Sequence, residues 1–116
     1  VTLLFVYGTL KRGHRADRLL AGQRFVAAAA TEPRYRLYDL GSFPGLVEVP
    51  DGVAVVGEVW AVGECCLEEL DDYEGAPDLF ARRPIAVAGV GEPVEAYFYA
   101  GRVPADAPTG DRWPFG

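Results

Sequence analysis

The hydrophobic positions of this chain fall mostly into short runs with the two-residue period of strands, and one stretch carries a clear helical period. Residues 2–7 are apolar and β-branched, the pattern of a buried strand, and the run ends abruptly at Gly8. Residues 8–13 form a loop that turns basic at Lys11 and Arg12 and reaches a second glycine. Residues 14–22 predict a short helix closed by Gly22, with Leu19 and Leu20 on the core and Arg15 and Arg18 facing water. Residues 23–30 fit either period and are assigned to a strand. Residues 35–40 alternate as a half-buried strand does. Residues 41–47 give a rigid turn and a further short strand, and Pro50-Asp51-Gly52 gives another turn.

Residues 53–62 make a long β-rich run in which Gly57 marks a bulge or a close approach. Residues 64–73 predict the clearest helix, and two β runs follow at 81–88 and 94–99, joined at 89–92. Residues 102–116 are rich in Pro and Gly and are expected to lie over the surface, anchored by Trp113. No repeat or linker interrupts this pattern, so residues 1–116 are read as one domain. Six or seven strands with two short helices predict an α+β fold, a small mixed barrel or curled sheet capped by helices.

The phase of the helix is informative. At about 100° per residue, Leu67 and Leu70 define the inward face, and Glu74 falls between them. Glu68, Glu69 and Asp72 point away. One carboxylate is therefore aimed at the interior in the last turn, just before Gly75-Ala76-Pro77 stops the helix. Desolvation and the negative end of the helix dipole both disfavour its ionisation there. Such surroundings suit a group that takes and returns a proton near neutral pH. If the chain instead turns away at Gly75, Glu74 reaches solvent or pairs with Arg82 or Arg83, and helical phase leaves both outcomes open.

Gly8 gives the first loop a second chemical meaning. A glycine allows backbone conformations closed to other residues and close approach of a ligand, and successive N–H groups after it can cradle an anion. An ordinary strand-to-loop turn explains Gly8 equally well when it is taken alone.

Composition narrows the classes. The 116 residues are 50% hydrophobic and 24% charged, with a net charge of −6, which argues against nucleic-acid or anionic-membrane partners, although Lys11 and Arg12 allow a local basic pocket. No apolar run approaches the ~20 residues of a membrane span, and nothing at the start resembles a signal peptide, so a cytoplasmic protein is expected. The two cysteines, Cys65 and Cys66, are adjacent and ill-placed to bridge one another. With one His and no C-x-x-C, no metal site or cofactor is expected. Either thiol beside His14 would be the alternative nucleophile, against the plainer reading of two small reduced side chains.

Taken together, Tyr7-Gly8-Thr9-Leu10, Phe43-Pro44-Gly45, Gly57-Glu58-Val59-Trp60, Leu70-Asp71-Asp72-Tyr73-Glu74-Gly75 and Phe80-Ala81-Arg82 resemble, in order and spacing, the γ-glutamylcyclotransferase-like family. The resemblance spans nearly the whole chain and is nearest to the short γ-glutamylamine cyclotransferase members. It implies a mixed β-barrel with flanking helices and a pocket at its mouth. It further implies that Tyr7, Gly8, Thr9 and Leu10 bind the amino-acid end of a γ-glutamyl group, and that Glu74 is the acid/base. Arg82 matches a recurrent arginine of the family. Tyr97 and Tyr99 share a strand face where relatives place pocket aromatics, and Tyr99 is preferred as a substrate contact.

The implied reaction explains what the sequence lacks. The substrate's own α-amine attacks its γ-carbonyl and closes the five-membered ring of 5-oxoproline, so the nucleophile arrives tethered and neither a Ser, a Cys nor a metal-bound water is required. Three alternatives stay in view: a binding module of the same fold without turnover, a cysteine-dependent amidohydrolase, and, within the first reading, any of several leaving amines. The chain's own pattern leaves monomer and homodimer equally open.

Overall fold

The apolar run at the amino end forms the centre of the molecule, and its position explains why it does not alternate. The computed structural model describes residues 1–115, so Gly116 of the surface segment lies outside the described residues. Strand β1 (Thr2–Val6) lies between β5 (Val56–Val62), antiparallel to it from Thr2↔Val62 to Val6↔Glu58, and β7 (Val94–Tyr99), parallel to it at Leu3↔Val94. Strands β2 (Arg24–Ala30) and β6 (Phe80–Pro84) complete a mixed five-stranded sheet of order β2-β5-β1-β7-β6. A second sheet has the order β4-β3-β8, from Pro44–Glu48, Tyr35–Asp39 and Thr109–Gly110.

Both faces of β1 are covered. Phe5 and Tyr7 point toward the second sheet, into a core shared with Leu37, Leu46, Val59 and Phe98. Leu4 and Val6 point the other way, into a core shared with Leu20, Leu67, Leu70 and Tyr97 beneath helix α1 (Glu64–Tyr73). Each of these four side chains, Tyr7 lying just past the end of β1, is at most 7% exposed, and burying such a group contributes about 1.5–3 kcal/mol. A strand buried on both faces reads as continuous apolar sequence.

The α+β class is as expected, with a mixed sheet and one α-helix. The barrel is not found in closed form: among the described residues the two edges of the five-stranded sheet, β2 and β6, approach only through a bridge at Thr31↔Val87 beyond their ends, and the second sheet is joined by a bridge at Tyr35↔Val53 and by side chains. Element boundaries also differ from the sequence reading. Residues 14–22 do not form an α-helix. A succession of three-residue turns (His14 N–H to Lys11, Asp17 N–H to His14, Leu19 N–H to Ala16) leaves only a 3-10 turn at Asp17–Leu20, and Gly22 at φ +81° redirects the chain. The run at 53–62 is strand only from Val56, because the side chain of Thr31 takes the Val55 amide at 2.9 Å and Val53 bridges to Tyr35 instead. Gly57 is a close-approach site: a Cβ there would stand 2.4 Å from the Val6 carbonyl oxygen. The bulge lies in the neighbouring strand, between Phe25 and Ala27.

Trp113 packs against the inter-sheet core with its ring edge-on to Phe115, and its carbonyl oxygen accepts the ammonium of Lys11. The terminal segment is thereby held to the first loop.

Candidate active site

The end of α1 is built by its last residues. Leu67 and Leu70 are buried, while Glu68, Glu69 and Asp72 are exposed. The Ala76 amide reaches back to the Asp71 carbonyl at 2.9 Å and the Gly75 amide to Asp72 at 3.2 Å, while Gly75 adopts φ +64°. This is the paired-bond helix ending that requires a left-handed residue, and glycine takes that conformation at least cost. Glu74 is the last residue in helical conformation, φ −82° and ψ −4°, held by its own amide bond to Leu70 at 2.9 Å. Its side chain is carried to the cavity rather than to solvent.

The other wall is the loop after β1. Gly8 does not adopt a left-handed conformation, contrary to the expectation that a special backbone angle selects it. It is glycine because a Cβ would lie 2.8 Å from Pro44 Cγ. The Tyr-Gly-Thr-Leu and Phe-Pro-Gly motifs are pressed together at this point. The carbonyls of Gly8 and Thr9 accept the amides of Lys11 and Ala16 at 3.1 and 2.9 Å, closing the loop on itself. Among the described residues, no hydrogen bond within the chain uses the N–H groups of Gly8, Thr9 and Leu10.

Between these walls lies a cavity of about 240 Å³. Tyr7, Gly8, Thr9, Leu10 and Glu74 all line it, and Tyr97 does too. Tyr99 does not. Tyr99, the tyrosine preferred from the sequence, stands over Gly45 and Gly101, with its ring 5.6 Å from Phe80 at the strand end, and borders a separate depression. Lys11 and Arg12 are also drawn elsewhere, so the basic pocket does not form around them. The buried carboxylate of Glu58 accepts the Arg12 amide at 3.1 Å and its guanidinium at 3.3 Å, and Lys11 is tied to Trp113.

The floor of the cavity is apolar, with Phe5, Val6, Leu10 and Phe80 all buried. Burial in these surroundings pushes the Glu74 carboxyl up to about 7. The Tyr7 hydroxyl is pushed well above its ordinary value, first by burial and then by the nearby charge of Glu74, and it donates to the Tyr97 carbonyl at 2.5 Å. Tyr7 is therefore a neutral hydroxyl beside a carboxylate that titrates near neutrality. Thr9 Oγ1 lies 3.4 Å from the Tyr73 hydroxyl across the opening.

Sequence reasoning did not find the network that fastens this wall. Arg82 sets two nitrogens against Asp71, at 2.9 and 3.1 Å, and a third against Glu95 at 2.7 Å. Tyr97 donates its hydroxyl to the same Asp71 at 2.6 Å. Burial works against the Asp71 carboxylate, but these hydrogen bonds and the charge of Arg82 hold it below its ordinary value. Arg82 is thus committed to Asp71 and Glu95, and Arg83 faces Glu48 at 3.8 Å, so neither neutralises Glu74. The sequence placed Arg15 in water; it is exposed, yet it also lines the cavity edge. The residue-type signal for such a contact is weak, because an exposed arginine in a turn is ordinary.

The cysteines and His14 are not in the cavity wall. Cys65 and Cys66 belong to the first turn of α1, some nine residues before Glu74, and the Cys66 thiol is turned to the Leu19 carbonyl at 3.2 Å. Burial raises that thiol above its ordinary value, the opposite of nucleophile activation.

Comparison with known proteins shows the family. A relative from Vibrio cholerae is 42% identical over 83 residues, covering 72% of this chain and 70% of its own length. Gamma-glutamylaminecyclotransferase A of Danio rerio is 36% identical over 108 residues, covering 84% and 67%. The crystal structure of an AIG2-like protein from Mus musculus superposes with a TM-score of 0.86 at 27% identity, covering 97% of this chain and 87% of that one. The family model described as gamma-glutamyl cyclotransferase, AIG2-like, matches residues 4–114. The chain belongs to the γ-glutamyl cyclotransferase, AIG2-like family.

Proposed function

We propose that this chain is an enzyme, a γ-glutamyl cyclotransferase that releases 5-oxoproline and an amine from a γ-glutamyl compound, and that residues 1–116 form one domain of this kind. The observation that carries the reading is the meeting of two features in one cavity: a half-buried carboxylate at Glu74 and a loop, Gly8 to Leu10, whose amides meet no acceptor among the described residues. The family membership supports the same reaction.

In this reading the α-carboxylate of the glutamyl group lies against the amides of Gly8 to Leu10, and the apolar floor holds its methylene chain folded. Glu74 removes a proton from the α-ammonium. The freed nitrogen attacks the γ-carbonyl carbon, forming the ring C–N bond and a tetrahedral oxyanion. Glu74 then passes that proton to the leaving nitrogen, and the original amide bond breaks. The ring nitrogen gives its second proton to the freed Glu74 carboxylate, which hands it on to the departing amine, so that the ring nitrogen keeps one hydrogen. Tethering supplies proximity, and a well-placed acid/base adds about 10²–10⁴-fold. A carboxyl titrating near 7 suits both halves of the transfer. The neutral Tyr7 hydroxyl and the Tyr97 ring complete the wall.

The reading is tested by incubating the protein with a panel of γ-glutamyl amino acids and amines and measuring 5-oxoproline. Release from at least one of them at enzymatic rates is expected. A protein that binds members of the panel in the cavity without turning any over is the non-catalytic module instead.

A further inference from the structure

The edge of the cavity carries charge of only two kinds among the described lining residues: the carboxyl of Glu74 and the guanidinium of Arg15. Arg15 is exposed, but its position is not arbitrary. Its Nη2 donates to the Ser42 carbonyl at 2.6 Å, which pins the side chain across the gap between the first loop and the segment before β4. Among the described residues its remaining donors meet no acceptor, and it enters no ion pair. The opposite edge is formed by Tyr73 and Leu79, both exposed although both are large and apolar.

With the glutamyl half held between the Gly8–Leu10 amides and Glu74, the leaving half of the substrate extends to this open edge. An amine without charge finds Tyr73 and Leu79 there but leaves Arg15 unused. A polyamine brings a positive charge to a positive edge. A leaving group with a carboxylate matches the donor fork of the guanidinium. We propose that Arg15 takes a carboxylate on the leaving half, making the protein selective for γ-glutamyl amino acids and peptides over γ-glutamyl derivatives of simple amines and polyamines. This rests on the cyclotransferase reading given above. Selectivity here is a difference between two affinities, and because Arg15 is solvated the difference is modest, roughly twofold to fivefold.

The test compares γ-glutamyl-alanine with γ-glutamyl-ethylamine, which differs from it by the carboxylate alone. In the parent protein kcat/KM for 5-oxoproline release is expected to favour γ-glutamyl-alanine by roughly twofold to fivefold. Arg15→Gln should bring the ratio near one, mainly through KM. A ratio near one in the parent, or a ratio that Arg15→Gln leaves unchanged, overturns the proposal. Equal weakening of both substrates also overturns it, because Arg15 would then be holding the glutamyl carboxylate. If the parent releases 5-oxoproline from neither compound, the cyclotransferase reading is the one in difficulty. The ratio of Kd values for the same two compounds, by titration calorimetry on parent and variant, then decides the role of Arg15 with the same expected and contrary outcomes.

Discussion

Tyr97 donates its hydroxyl to Asp71 Oδ1 at 2.6 Å, so a strand residue of the cavity wall is fastened to the helix one turn before Glu74. The same carboxylate receives the fork of Arg82, which also holds Glu95 on β7. Three elements, α1, β6 and β7, are therefore locked at one point. The carboxylate and guanidinium are about 30% and 27% exposed, so the pair is shielded from full solvent screening while avoiding the cost of deep burial.

Tyr97→Phe is expected to cost roughly 0.5–1.5 kcal/mol in urea denaturation, and Asp71→Asn somewhat more, because it also weakens the Arg82 contact. The two should be non-additive, since they share one hydrogen bond. Strict additivity in the double variant would mean that the Tyr97 hydroxyl does not couple to Asp71 in solution.

Gly8→Ala should destabilise the protein by about 1–3 kcal/mol, since the added methyl meets the ring of Pro44 at 2.8 Å and the strand behind it is buried. Gly13→Ala offers a useful contrast. Its site is open, and its cost should come from the left-handed φ of +83° alone, about 1 kcal/mol. Thermal denaturation of the two variants separates contact from conformation. If Gly8→Ala is harmless, the two motifs are not in contact as described.

Glu74 also predicts a pH dependence of stability. Its folded carboxyl titrates at about 7 against an ordinary value of 4.5, so the folded chain holds the proton more tightly. Below pH 4.5 both states are protonated and stability is full. Between about pH 4.5 and 7 the unfolded chain ionises first and stability falls, by at most on the order of 3 kcal/mol, levelling off above that window. Partial solvent access reduces the amount. Glu74→Gln should therefore be more stable than the parent at pH 8, with the difference shrinking toward pH 4.5. A constant difference across this range would show that the carboxyl is not perturbed.

Much of this arrangement was legible in sequence because it is local. The apolar run of β1 and the phase of Leu67, Leu70 and Glu74 follow from periodicity, and Gly75 marks the helix end. What escaped depends on contacts distant in sequence. Period two puts Tyr97 and Tyr99 on one face, but only the position of Phe80 and Gly45 shows that the cavity stops short of Tyr99. The basic pair at Lys11 and Arg12 resembles an anion site until Glu58, more than forty residues away, claims Arg12. Arg15 is exposed as its assignment to water expects, but it also reaches the cavity edge, which an α-helical phase does not foresee because the segment turns three residues at a time.

The central claim is that Glu74, and not merely a carboxylate on this helix, moves the proton. Glu74→Gln keeps size and shape but can neither accept nor return one, whereas Glu69→Gln changes an exposed side chain on the outward face. The measurement is the kcat for 5-oxoproline release by both variants, with 5-oxoproline binding and urea denaturation as controls. Glu74→Gln is predicted to lose about 10²-fold or more while still folding and binding, and Glu69→Gln to stay within about twofold of the parent. A folded Glu74→Gln protein that releases 5-oxoproline at the parental rate would contradict the account.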